Sequence, residues 1–302
     1  MKSYSDIAGD GGSNVVGQIV EQRREIAEAL AGVRRLVAVG SGKGGVGKST
    51  LTMALARALA GRGETVAILD ADFNGPTQAQ MAGLAGAPWV PAGRGVALPR
   101  RADGIGVVSL GSLLPAGGEL RFDTVSRGEQ HTWRATREFA VLGQLLRTVD
   151  WGELDWLLFD LPPGAERTVQ YAEFLPGPAA FVLVTIPSDL ARGVVARSLT
   201  ALAGTGAPIA GYVENMAGYW CAGCGEVRPL FPEAAEPLDA PCLGRVPFDP
   251  RLAELCDRGW PAGADAEAGS EPGALRAVRE VAERLIAAVP TVHAATPEEA
   301  VR

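Results

Sequence analysis

The chain runs to 302 residues, 47% hydrophobic and 21% charged, an ordinary composition for a soluble globular protein and a length that fits one large α/β domain or two small ones, of which one is favoured. Its 28 Lys and Arg are scattered and outnumbered by 35 Asp and Glu, and the net charge of −7 argues against a nucleic-acid partner, because neutralising phosphates needs clustered cations. The N-terminus has no apolar signal core and the longest apolar stretch, Ala179 to Ile186, is far too short to span a bilayer, so a cytoplasmic protein without a membrane partner is expected.

Residues 1–13 are polar and glycine-rich and read as a disordered N-terminus, and Val15 to Leu30 reads as an amphipathic leading helix. An α/β alternation follows. Strands are predicted at Leu36 to Val39, Thr65 to Leu69, Gly106 to Leu110, Trp156 to Phe159, Ala180 to Thr185, Pro208 to Val213 and Leu243 to Val246, mostly as unbroken apolar runs of the kind covered on both faces. Helical periodicity occupies Ser49 to Leu59, Thr136 to Val149, Leu190 to Leu202 and Ala274 to Ala288. This βαβ order predicts a doubly wound, mainly parallel sheet with helices on both faces, in a single domain spanning 14–289, with ligands at the strands' carboxyl ends. Two stretches interrupt the rhythm: Gly83 to Asp103 is expected to make a long surface excursion, and residues 217–241 a loop carrying two cysteines. Residues 290–302 read as a flexible tail.

Between the first strand and its helix stands Gly40-Ser41-Gly42-Lys43-Gly44-Gly45-Val46-Gly47-Lys48-Ser49-Thr50. Gly42, Gly47, Lys48 and Ser49 satisfy the G-x-x-x-x-G-K-[ST] spacing, in which glycines let backbone N–H groups converge on phosphate, the lysine reaches the outer phosphates and the hydroxyl ligates Mg²⁺. Lys43 is a second lysine that this spacing does not require. Two apolar strands end in acids, Asp70 and Asp72 after one and Asp160 after another, and carboxylates at such ends supply Mg²⁺ and water-positioning groups.

Four cysteines are present, Cys221, Cys224, Cys242 and Cys256. The Cys221-x-x-Cys224 pair offers two thiolates to one metal centre, whereas an iron–sulfur cluster or a structural zinc takes about four. Either Cys242 and Cys256 complete the set or a two-fold axis brings a second copy of the pair. Both remaining cysteines read as buried small hydrophobes, which favours the two-fold arrangement. His131 and His293 have no companion ligands and read as solvated loop residues.

The loop Gly42 to Thr50, Asp70-Ala71-Asp72-x-x-Gly75-Pro76 and Asp160-x-Pro162-Pro163-Gly164 together resemble the Mrp family of P-loop ATPases, relatives of MinD and ParA that act as iron–sulfur cluster carriers. The likeness runs from about Leu36 to Pro261, through Val213-Glu214-Asn215-Met216, the cysteine pair and Leu243 to Pro250. The resemblance implies an ATP-hydrolysing homodimer in which Lys43 reaches the partner's nucleotide, Lys48 acts in cis, and Asp72 orients the attacking water. It further implies that Asp160 holds an Mg²⁺-bound water with support from Asp70, that the Gly164 N–H senses the γ-phosphate, that Asn215 hydrogen-bonds adenine and that Pro247 walls the base. Cys221 and Cys224 of each subunit would bridge a shared 4Fe–4S cluster destined for apo-proteins. The chain departs from the family at Ala165-Glu166-Arg167, where Thr-Gly-Asp is usual, and at Ala135-Thr136, where Gly-Pro follows Trp-Arg; Glu119 to His131 reads as an enlarged approach to the latter. A ParA- or MinD-like positioning ATPase and a zinc-stabilised dimeric nucleotide-binding module are the rival readings.

Overall fold

The computed structural model describes residues 15–93, 95–113, 130–175, 177, 179–232, 238–261 and 272–291. The expectations for residues 1–13, for most of 290–302, for the approach before Trp133 and for the two histidine side chains lie outside the described residues.

A sheet of eight strands forms the centre. It consists of β1 (Leu36–Ser41), β2 (Val66–Asp70), β5 (Gly106–Val108), β7 (Trp156–Asp160), β8 (Ala180–Thr185), β9 (Ile209–Cys221), β10 (Glu226–Arg228) and β11 (Cys242–Phe248). Their order is β10-β9-β8-β1-β7-β2-β5, with β11 also paired to β9, and every pairing is parallel except β9 with β10. The unbroken apolar runs have a simple cause. Val37 and Val39 of β1, Leu158 of β7 and Val182 of β8 face one apolar layer, while Ala38, Leu157, Phe159, Phe181 and Leu183 face another. The first layer is closed by α2 (Lys48–Ala60), through Leu51, Leu55 and Leu59, and by α8 (Gly273–Ala288), through Val278, Val281 and Leu285. The second is closed by α1 (Val15–Ala29), α4 (Gln130–Thr148), α5 (Ala165–Phe174) and α6 (Asp189–Ala203), with Ile26, Leu142, Tyr171 and Leu199 at its centre. A strand covered on both faces has no polar side to show, so alternation disappears.

Helix starts follow local chemistry. Ser188 accepts a hydrogen bond from the Ala191 N–H at the start of α6, and Asp249 does the same for Arg251 at the start of α7 (Pro250–Asp257), whose first residue is proline. β1 lies between β7 and β8, so the chain leaves it in two directions and opens a crevice at its carboxyl end.

Two expected loops are partly strands. The excursion over Gly83 to Asp103, which follows the short helix α3 (Gln78–Met81), contains β3 (Pro91–Ala92) and β4 (Gly95–Ala97), which make a small second sheet with β6 (Val149–Asp150). The predicted loop at 217–241 opens as a hairpin: β9 continues to Cys221, eight residues past its expected end at Val213, and β10 pairs back with Tyr219, Trp220 and Cys221. Tyr219 and Trp220 supply the apolar contacts that keep this extension folded. Tyr219 stacks on Phe248 at 6.4 Å between ring centroids, and Trp220 packs on Gly273 at the start of α8.

A Cβ at Gly273 would fall 2.1 Å from the Trp220 ring. Gly273→Val should therefore lower stability by about 1–3 kcal/mol in denaturant unfolding. It should also speed hydrogen exchange at the hairpin amides; unchanged exchange there would show that Trp220 does not anchor the hairpin.

Candidate functional site

The loop between β1 and α2 needs left-handed backbone at Gly45 (φ 79°) and Gly47 (φ 78°), a conformation glycine adopts freely. Space makes the same demand, since a Cβ at Gly47 would lie 2.2 Å from Asn215 Nδ2 and one at Gly42 2.5 Å from Val194 Cγ1. Gly44 and Val46 complete the loop, which borders a cleft of about 380 Å³ together with Ser41, Lys43, Lys48, Ser49 and Thr50. Asp72, Gly75, Pro163 and Cys256 also line that cleft. Lys43 has no hydrogen bond or ion pair among the described residues.

The two strand-end acids meet at the floor. Asp70 of β2 and Asp160 of β7 are register neighbours, and neither is exposed. Lys48 Nζ forms an ion pair with Asp160 Oδ1 and lies 3.1 Å from Ser49 Oγ. Gln78 joins the parts: its Nε2 donates to Asp160 Oδ2 (2.8 Å) and to the Ser49 carbonyl (3.0 Å), and its backbone N–H donates to Asp70 Oδ2 (3.0 Å). Ser109 Oγ gives Asp70 Oδ2 a second donor at 2.9 Å. Burial, and after it the neighbouring Asp160 carboxylate, push Asp70 up to about 8. Burial also raises Asp72, against the pull of Lys48.

Two buried side-chain atoms among the described residues have no hydrogen-bond partner, Ser41 Oγ and Gln78 Oε1, and both belong to this site. Buried polar groups are ordinarily satisfied, so such orphans mark where a polar ligand completes the arrangement. Together with the open glycine loop, the two lysines and the hard oxygen donors of Ser49, Asp70 and Asp160, they fit a magnesium–nucleotide group.

Three expected contacts are arranged otherwise. Asn215 and Pro247 do not border the cleft. The Asn215 side chain is turned to the loop itself, donating to the Val46 carbonyl at 2.8 Å, and Pro247 is buried within β11. The Gly164 N–H donates to the Ser41 carbonyl at 2.8 Å, which ties the start of α5 to the end of β1.

The cysteine pair sits on the β9–β10 hairpin, Cys221 half-buried and Cys224 exposed, both as free thiols. The Cys224 amide N–H, followed by the Cys224 side chain and the Gly223 amide, holds the Cys221 thiol below its usual range. Arg228 Nη2 approaches Cys224 Sγ at 3.8 Å. Cys242 is not the buried filler expected: it is exposed, because it opens β11 where that strand has β9 as its neighbour. Cys256 is buried as expected, yet it borders the phosphate-loop cleft, and burial pushes its thiol up to about 11. No group of three or more His, Cys, Asp or Glu side chains among the described residues is placed to hold a metal ion.

The sequence model of the NUBPL iron-transfer P-loop NTPases, within the ParA group, matches residues 32–286. The chain belongs to this family. Among its relatives, an iron-sulfur cluster carrier protein of Saccharolobus solfataricus is 37% identical over 238 residues, covering 77% of each chain. A cytosolic Fe-S cluster assembly factor, CFD1, of Yarrowia lipolytica is 37% identical over 249 residues, 76% of this chain and 79% of its own. A solved nucleotide-binding protein of Archaeoglobus fulgidus, in complex with ADP, superposes with a TM-score of 0.66 at 33% identity, over 79% of this chain and 91% of that one. No helix among the described residues of this P-loop NTPase is long and apolar enough to cross a membrane.

Gln78, Ser109 and Ser41 were not among the residues expected from sequence. Ser41 had a signal, standing one place before the loop motif; Gln78 and Ser109 had none, since what marks them is tertiary contact with Asp70. Gln78→Leu removes two donors while keeping the volume, and should cost about 1–3 kcal/mol in denaturant unfolding because Asp160 Oδ2 loses a buried partner. Thiol chemistry offers a second check. At neutral pH monobromobimane should label the hairpin cysteines more than about tenfold faster than Cys256. Labelling of Cys256 should rise only as pH climbs toward about 11, where its thiolate forms; rapid neutral labelling at Cys256 would contradict its burial.

Proposed function

We propose that the protein is an ATP-hydrolysing, homodimeric carrier that receives a 4Fe–4S cluster on Cys221 and Cys224 of two subunits and passes it to apo-proteins in the cytoplasm, without nucleic-acid or membrane partners. The observation that carries this reading is the hairpin itself. It presents two free thiols at the surface, half the usual ligand set of such a cluster, and the family and its named relatives supply the chemistry of iron transfer. Lys43 supports it from the other site, as a cation on the phosphate loop that no described group of its own chain neutralises.

Magnesium bound with the nucleotide would supply charge neutralisation at the outer phosphates. The chain's own groups do the rest. The loop 42–47 presents backbone N–H groups to phosphate, Lys48 is the cis cation, and Ser49 and Asp160, supported by Asp70, are the oxygen donors for the metal. For Lys48 to meet phosphate it must loosen its hold on Asp160, so binding rearranges the floor of the cleft. Asp72, at the rim and half-buried, is the carboxylate available to orient water. Lys43 of one subunit would neutralise charge developing on the other subunit's transferring phosphoryl group, which makes turnover depend on pairing. Asn215, with one Nδ2 hydrogen on the Val46 carbonyl, has its second N–H and its Oδ1 for the adenine contact expected of it.

Anaerobic reconstitution with ferrous iron and sulfide should give a brown protein with visible absorption and about four iron per dimer. Cys221→Ser or Cys224→Ser should abolish it. A colourless, zinc-loaded protein would instead favour a structural metal, and a strictly monomeric protein in the presence of ATP and iron would overturn the shared cluster. Lys48→Ala should weaken nucleotide binding, whereas Lys43→Ala should leave binding intact and reduce ATP turnover by about 10³-fold or more.

A further inference from the structure

The segment after Pro163 reads Ala165-Glu166-Arg167, where the sequence departs from the family pattern, and the structure gives Arg167 a definite place. It lies in the first turn of α5, with its guanidinium 5.4 Å from the Phe139 ring centroid and its Nη2 in an ion pair with Glu138 Oε2. The Glu138 side chain is 5% exposed, and its other oxygen accepts from Asn74 Nδ2 at 3.0 Å. Asn74 stands two residues after Asp72, in the turn closed by the Gly75 N–H donating to Asp72 Oδ1 at 3.3 Å. One helical turn further along α5, the buried Tyr171 hydroxyl donates to the Ala71 carbonyl at 3.0 Å. Residues on both sides of Asp72 are thus fastened to one helix, Ala71 directly and Asn74 through Glu138 and Arg167.

A buried ion pair is a poor way to gain stability, because desolvation offsets much of the attraction and an apolar pair of equal volume often serves as well. What such a pair does supply is direction: Glu138 is held by two partners on different elements. The turn it holds, Phe73-Asn74-Gly75-Pro76, otherwise contains a glycine with nothing within 4 Å of where its Cβ would be. The N-terminus of the same helix is tied to the phosphate loop's entry by Gly164 N–H to the Ser41 carbonyl.

We propose that Arg167 and Glu138 are positioning residues for nucleotide turnover, clamping the Asp72 carboxylate to the helix that begins at Gly164. This rests on the reading of Asp72 as the water-orienting group. The clamp acts on the placement of Asp72 and leaves the phosphate loop alone. It predicts a loss in kcat without a matching loss in nucleotide affinity.

The test uses the full chain, with ATP turnover, Mg-ADP binding by calorimetry and hydrogen exchange at residues 71–75 measured together. Arg167→Met should lower kcat by about tenfold or more, as expected when a reacting group is displaced by roughly an ångström. KM for ATP and Kd for Mg-ADP should stay within about twofold. Exchange at 71–75 should speed up, and the charge-swapped double variant Arg167→Glu/Glu138→Arg should recover part of kcat. Glu138→Gln, which keeps the volume and the Asn74 contact, should show a smaller loss in the same direction and serves if Arg167→Met does not fold. Unchanged kcat and unchanged exchange at 71–75 in the folded variants would overturn the clamp, as would kcat and ADP affinity falling in parallel. A wild-type protein that binds Mg-ADP but turns over no ATP would instead overturn the role given to Asp72 and the proposal with it.

Discussion

Two carboxylates held side by side away from water, with a lysine paired to one of them, set the terms for the rest of the molecule. Asp70 and Asp160 end adjacent parallel strands in register, so the sheet itself forces them together. Like charges that close in a low-dielectric site cannot both ionise cheaply. The structure resolves this with Lys48 against Asp160, two donors on Asp70 Oδ2, and a carboxyl at Asp70 that stays protonated to about 8. Each of these partners comes from a different element: Lys48 from the start of α2, Gln78 from α3, Ser109 from just beyond β5. Removing Lys48 or the Gln78 side chain would take a partner from a buried Asp160 oxygen, and the arrangement ties the phosphate loop, the β2 turn and the β7 turn to one another.

That constraint explains why the framework was legible from the amino-acid order and the finer contacts were not. Runs such as Leu36 to Val39 and Trp156 to Phe159 are apolar throughout because each has a helix layer on both faces, a condition that leaves its mark in every residue of the strand. The glycine-lysine spacing of the loop is equally local, since it encodes a backbone path. Gln78 is different: its importance comes from meeting Asp160, 82 residues away, and no spacing rule carries that. The extension of β9 was hidden for another reason. Its neighbours Gly218, Gly223, Gly225 and Pro229 read as loop, while the residues that make it a strand, Tyr219 and Trp220, act through Phe248 and Gly273, distant in sequence. Cys242 surfaced against expectation because its hydrophobic successors, Leu243 and Val246, take the buried places of β11 and leave its first residue outside.

One strand touches both the phosphate loop and the cysteine hairpin. Asn215, bonded to the Val46 carbonyl, and Cys221 are six positions apart on β9, roughly 20 Å at about 3.3 Å per residue. Between them Met216 has a left-handed backbone (φ 54°), the one such non-glycine residue among those described, and the pairing with β11 slips between Val246 and Phe248. A methionine in that region carries a cost of about 1 kcal/mol or more and persists only where its surroundings hold it. β8 holds β9 on one side only up to Glu214, opposite Thr185, while β11 holds it on the other as far as Tyr219; from Tyr219 on, β10 and the Tyr219–Phe248 stack are its partners. The strand therefore consists of a clamped half, registered to the nucleotide loop, and a projecting half that carries the thiols, joined at a strained residue. A displacement of the loop carbonyl to which Asn215 is bonded would reach the hairpin through that joint and through β11, whose Val246 and Phe248 pair with Asn215 and Tyr219, so the stiffness of residues 215–218 and the hold of β11 together set how far the two sites act as one.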